Sequence, residues 1–148
     1  TKHRNWDDGE YGYNDFTAFS EGLVLGDGSN INMKTEGFYK VVANVASGEL
    51  TATTVTWGII GDATADGWDS DQNMIWDSDK KCWTATVTLT DGTMKFRAND
   101  DWEINAGGSV DDLSQDGADL TVTAGTYYIE LYLERTASDK MYCTMTKQ

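Results

Sequence analysis

From Cys82 to Leu89 the chain alternates residue by residue. Trp83, Ala85, Val87 and Leu89 share one face, and Cys82, Thr84, Thr86 and Thr88 share the other. A period of two belongs to a β-strand with one face buried; a helix would scatter both sets around its axis. Strands are predicted over 57–60, 74–76, 82–90, 94–99, 120–122, 126–133 and 141–146, with loops over 61–72 and between 99 and 120. Asp91-Gly92 reads as a hairpin turn. Fifteen glycines and no proline suit many turns between short strands. No segment carries helical periodicity. Together these signals predict an all-β fold, an antiparallel immunoglobulin-like β-sandwich.

The chain also resembles itself. Lys2-His3-Arg4-Asn5-Trp6-Asp7 echoes Lys95-Phe96-Arg97-Ala98-Asn99-Asp100-Asp101-Trp102. Asn30-Ile31 followed by Glu36-Gly37-Phe38-Tyr39 echoes Asp119-Leu120 followed by Ala124-Gly125-Thr126-Tyr127, and Leu50-Thr51-Ala52-Thr53 echoes Met141-Tyr142-Cys143-Thr144. The offset stays near about 90 residues, a domain period and not that of a solenoid. Tandem repeats are therefore expected. Residues 57–148 form one complete unit, and 1–56 form the C-terminal half of a preceding unit, as in a piece of a longer tandem-domain protein.

Charge narrows the partners. A formal net charge of −14 repels phosphate, which disfavours nucleic acid and anionic membrane. No apolar run is long enough for a transmembrane segment. Alternation sets Cys82 outward and Cys143 inward, which argues against a disulfide. His3 is the only histidine, and no nucleophile–base arrangement assembles around it. Asp62, Asp66, Asp69 and Asp71 lack the regular spacing of a calcium loop and read as an acidic solvated loop. No catalytic residue, cofactor or metal is expected.

Six tryptophans are too many for the core of so small a sandwich. Trp83 belongs with the core face of its strand, and Trp57 and Trp76 fit either role. Trp68 and Trp102 lie in polar surroundings, where a large ring either plugs its loop or waits for a ligand. Between them, alternation puts Met94, Phe96 and Ala98 inward and Lys95, Arg97 and Asn99 on the outer face. Donor groups beside indole rings suit an uncharged polyhydroxylated ligand. Pyranose C–H faces lie on indole while the hydroxyls need directional partners. The bland alternative is an ordinary solvated strand face.

Trp57-Gly-Ile-Ile-Gly-Asp-Ala-Thr, Gly67-Trp68-Asp69, Lys95 to Asn105 and Leu113 to Leu120 resemble, in order and spacing, the SusE/SusF-type starch-binding repeats of gut Bacteroidetes. A more distant likeness runs to the starch- and glycogen-binding modules of pullulanases and AMP-activated kinase. The resemblance implies α-glucan binding through Trp68, Lys95, Trp102 and Asp119, the last standing where the family commonly has Asn. Arg97 and Asn99 are secondary candidates, and Lys2, Trp6 and Asn30 mark a partial second site. It further implies a lipid-anchored protein on the extracellular face of the outer membrane, beside a porin-like transporter and a surface amylase. Two other readings stay open: a structural spacer or protein-docking β-sandwich (or a module for another glycan), and a glycoside hydrolase built on paired carboxylates.

Overall fold

The computed structural model describes residues 18–19, 23–25, 31–33, 37–44, 46–133 and 141–148. The chain divides into two compact units, Thr1–Val55 and Thr56–Gln148. Among the described residues every regular element is a strand.

In the first unit β1 (Ala18–Phe19) runs parallel to β5 (Glu49–Thr54), which pairs antiparallel with β4 (Tyr39–Asn44). A separate antiparallel pair joins β2 (Leu23–Leu25) to β3 (Ile31–Met33). Leu50 and Ala52 of β5 are buried, whereas Val41 and Val42 of β4 are about half exposed.

The second unit holds two larger sheets. One contains β6 (Trp57–Ile60), β7 (Gln72–Asn73), β10 (Gly92–Ala98), β11 (Asp101–Ser109), β12 (Asp112–Ser114) and β13 (Leu120–Val122). Its order is β12-β11-β10-β6-β7, with β13 paired to the start of β10. The other runs β15-β14-β9-β8, from β8 (Ile75–Asp77), β9 (Cys82–Leu89), β14 (Gly125–Tyr132) and β15 (Tyr142–Lys147). All pairings here are antiparallel, and both sheets have free ends instead of closing into a barrel. The arrangement is compatible with a two-layer sandwich.

Alternation explains the second sheet. Along β14, Tyr127, Ile129 and Leu131 are buried while Tyr128, Glu130 and Tyr132 lie on the opposite face. Its partners in register contribute Trp83, Val87 and Leu89 from β9 and Cys143 from β15 to the same buried set. The first sheet supplies Ile59, Met94, Phe96, Ala106, Leu120 and Val122. Phe96 pairs with both Ile59 and Ala106, so three strands meet at one fully buried ring.

Three expectations are corrected. Asp91-Gly92 is not a hairpin turn. β9 pairs with β8 and β14, while β10 pairs with β6, β11 and β13, so the chain crosses here from one sheet to the other. The Asp91 carboxylate secures the crossing by accepting from the Ala124 N–H at 2.8 Å. The stretch expected as a loop after Asn99 contains β11 and β12. Cys82 is fully buried although alternation sets it on the threonine face. Burial pushes its thiol pKa up, against the opposing effect of the neighbouring Tyr132 hydroxyl. Both cysteines are buried and free.

Truncating Phe96 would open a cavity where three strands meet. Phe96→Ala should cost about 3–5 kcal/mol of unfolding free energy, read as a lower urea midpoint at unchanged slope.

Candidate functional site

The face of the first sheet opposite Phe96 carries the aromatic pair, and β10 organises it. Gly58, Arg97 and Asn105 are neighbours in register across β6, β10 and β11. Lys95 lies two positions before Arg97 on the same face and is partly exposed. Asp119 is exposed and lies just before β13, whose pairing with β10 ends at Leu120 opposite Met94.

Trp68 arrives on the loop between β6 and β7. That loop is tied tightly to itself and to β10. The Gly61 N–H donates to Gly67 O at 3.1 Å, and the Thr64 hydroxyl reaches Gly61 O at 2.9 Å and Gly67 O at 3.2 Å. Gly67 has φ +61° with open space around its absent Cβ, so backbone conformation and not room demands glycine there. Asp62 fixes the loop's start, accepting from the Thr93 N–H at 2.5 Å and the Thr93 hydroxyl at 2.8 Å. Those bonds hold its carboxyl below the ordinary range.

Trp102 reaches the same face by a bulge. Ala98 pairs with Asp101 but Arg97 pairs with Asn105, so the intervening Trp102, Glu103 and Ile104 have no partner on β10. Side chains close the gap. Asn105 Nδ2 donates to Trp102 O at 2.8 Å and to Asp116 Oδ1 at 2.9 Å, while Gln115 Nε2 donates to Glu103 O at 3.2 Å. The bonds from Asn105 and Gln115 hold the Asp116 carboxyl below its usual value.

The two indoles end with centroids 5.9 Å apart and planes inclined at 41°. They are 39% and 43% exposed, so neither is a core residue. The Lys95 ammonium lies 5.8 Å from the centre of the Trp102 ring. Trp68, Lys95 and Trp102 therefore form one cluster, whereas no contact joins Asp119 to it among the described residues.

The secondary candidates have other work. Arg97 is buried, not on an open face. Its Nε donates to both carboxylate oxygens of Asp71, at 2.8 and 3.0 Å, and its guanidinium carbon sits 4.8 Å from the Trp102 ring centre. Asn99 does not prolong the strand face. It has φ +60°, and its amide oxygen accepts from the Thr56 N–H at 2.9 Å while its own N–H donates to Thr56 O. Lys2, Trp6 and Asn30 lie outside the described residues.

Trp57 and Trp83 are buried, and Trp76 packs edge-on against Trp83 at 5.8 Å. Of the acidic loop, Asp62 holds Thr93, Asp66 accepts from Gln72 and Asp71 holds Arg97. Among the described residues no group of three metal-ligating side chains comes together. Asp71, Asn105, Gln115 and Asp116, which build the scaffold, were not foreseen: an isolated polar residue carries no periodic signal.

No protein-family model matches this chain, and neither a curated protein nor a solved structure does.

Asp62 ties the Trp68 loop to β10 as a carboxylate. Because folding lowers its pKa, its contribution is complete above the unfolded-state value and is lost as pH falls through the folded-state value. Asp62→Asn should therefore lower the thermal midpoint at neutral pH and shrink the further drop between about pH 5 and pH 3. Melting curves across that range, wild type against variant, test this; parallel curves would remove Asp62 from the acid response.

Proposed function

We propose that the Thr56–Gln148 unit is a non-catalytic carbohydrate-binding module of immunoglobulin-like sandwich form that captures α-glucan, starch or maltooligosaccharide, on the Trp68–Trp102 pair. The observation that carries this reading is the pair itself: two part-exposed indoles tilted by 41°, with a lysine beside one of them. A flat polymer would lie on coplanar rings. Inclined rings suit a chain that curves, as an α-1,4-glucan does.

Each stacked ring would contribute about 0.5–1.5 kcal/mol beyond its area burial, by analogy with aromatic pairs. Lys95 donates to sugar hydroxyls, and Asp119 accepts from them but donates nothing. Single-site affinity is then weak, about 0.1–1 mM. A tandem partner, of which Thr1–Val55 is read as part, would raise it through effective concentration. The SusE/SusF-type resemblance extends this to capture at the outer-membrane surface, feeding a transporter beside a surface amylase.

Affinity electrophoresis in native gels cast with amylopectin, dextran or xylan tests the reading. Wild type should be retarded by amylopectin alone, and Trp102→Ala should migrate freely. No retardation by any of the three would reject the α-glucan assignment and favour a spacer, or a different glycan. Asp119→Asn supplies the donor that the carboxylate lacks and should strengthen amylopectin retardation by about two- to tenfold, the worth of one modest hydrogen bond. An unchanged or weaker interaction would take Asp119 out of the site.

A further inference from the structure

The residues beneath the indoles form layers. Gly58 has no side chain, and the space its Cβ would occupy belongs to Asp71, whose Cβ would lie 2.8 Å away. Asp71 thus fits against the strand backbone and meets Arg97 from the side. The side chains of Arg97 and Asp71 are 8% and 2% exposed, so neither meets ligand directly. The guanidinium then lies 4.8 Å from the centre of the Trp102 ring. Trp102 comes from a bulge with no ladder partner on β10, so its backbone alone does not fix the ring.

We propose that Arg97 and Asp71 are positioning residues for the aromatic pair, with Gly58 making room for them. Asp71 orients the guanidinium, the guanidinium backs one face of Trp102, and the indole is held at its 41° inclination to Trp68 before any ligand arrives. A planar cation suits this task better than an ammonium, because it bonds a carboxylate in its plane and stacks on a ring across its face. Preorganisation of this kind removes the ordering cost of a rotatable side chain from the binding step. The effect on binding rests on the sugar-binding reading; the effect on ring geometry does not.

The test is a double variant, Arg97→Met with Asp71→Leu, which removes both charges and strands neither in the interior. Two indoles this close couple excitonically, so their inclination is read by far-ultraviolet circular dichroism without ligand. Subtracting the spectrum of Trp102→Ala removes the contribution of the Trp76–Trp83 pair. The double variant should unfold cooperatively near the wild-type midpoint, lose the Trp68–Trp102 couplet and bind amylopectin about tenfold more weakly. Arg97→Lys keeps the charge but not the plane, and should show a reduced couplet. A folded double variant with a full couplet and unchanged retardation would overturn the proposal. If the double variant does not fold, a full couplet in Arg97→Lys overturns it and a reduced one supports it. If wild type binds no glucan while the couplet still depends on Arg97, the positioning role stands and the sugar-binding reading falls.

Discussion

A carboxylate and a guanidinium, both nearly inaccessible to water, bridge the loop before β7 and the C-terminal end of β10. Burial pushes the Asp71 carboxyl up, Arg97 opposes this, and the neighbouring Asp100 adds a like charge. Removing one member of such a pair typically costs about 3–5 kcal/mol, because the survivor stays buried without a partner. That penalty ties the loop carrying Trp68 to the strand that backs Trp102. The loop's other anchor, Asp62 on Thr93, grips the same strand nearer its start. Two acidic residues of one loop therefore hold two points of one strand, and Trp68 rides between them.

β10 bears this because it is enclosed on both faces. Phe96 and Ala98 face the core, while Arg97 lies beneath indole on the other side, and all three are buried. Its edges are also occupied, by β6 over Lys95–Ala98, by β13 over Gly92–Met94 and by β11 beyond. A strand paired along both edges and largely buried has little freedom, which makes it a firm base for the side chains it carries. The bulge in β11 is the exception. It gives up ladder pairing to throw Trp102 outward, and Asn105, Gln115 and Asp116 replace the lost hydrogen bonds.

The strands that could be read from sequence are those with one dry face. β14 alternates cleanly and β9 does so from Thr86 to Leu89, and β6 and β13 have the bounds their apolar runs suggest. β11 escaped because Asn105, Ala106 and Gly107 are buried in succession, which erases the period of two, and because most of its residues other than Trp102 and Ile104 are small or polar. The same enclosure misled the reading of Arg97. Alternation located it on the outer face correctly but said nothing of what would cover that face. Asp91-Gly92 failed for another reason: a dipeptide sets a local bend, and whether the chain then rejoins its own sheet depends on partners far away in sequence.

Aromatic content alone would not have separated a site from a prop. The second sheet also carries a ring pair on its outer face, Tyr132 and Tyr142, with centroids 4.6 Å apart and planes within 9° of parallel. Parallel rings at that distance hide their facing surfaces from any third molecule. The Trp68–Trp102 pair differs in the two quantities that matter. Its planes diverge and both rings stay part-exposed, while the buried Arg97 and the part-exposed Lys95 lie 4.8 and 5.8 Å from the centre of the Trp102 ring. Inclination and backing, more than the number of tryptophans, distinguish this part-exposed pair from one already satisfied by its own chain.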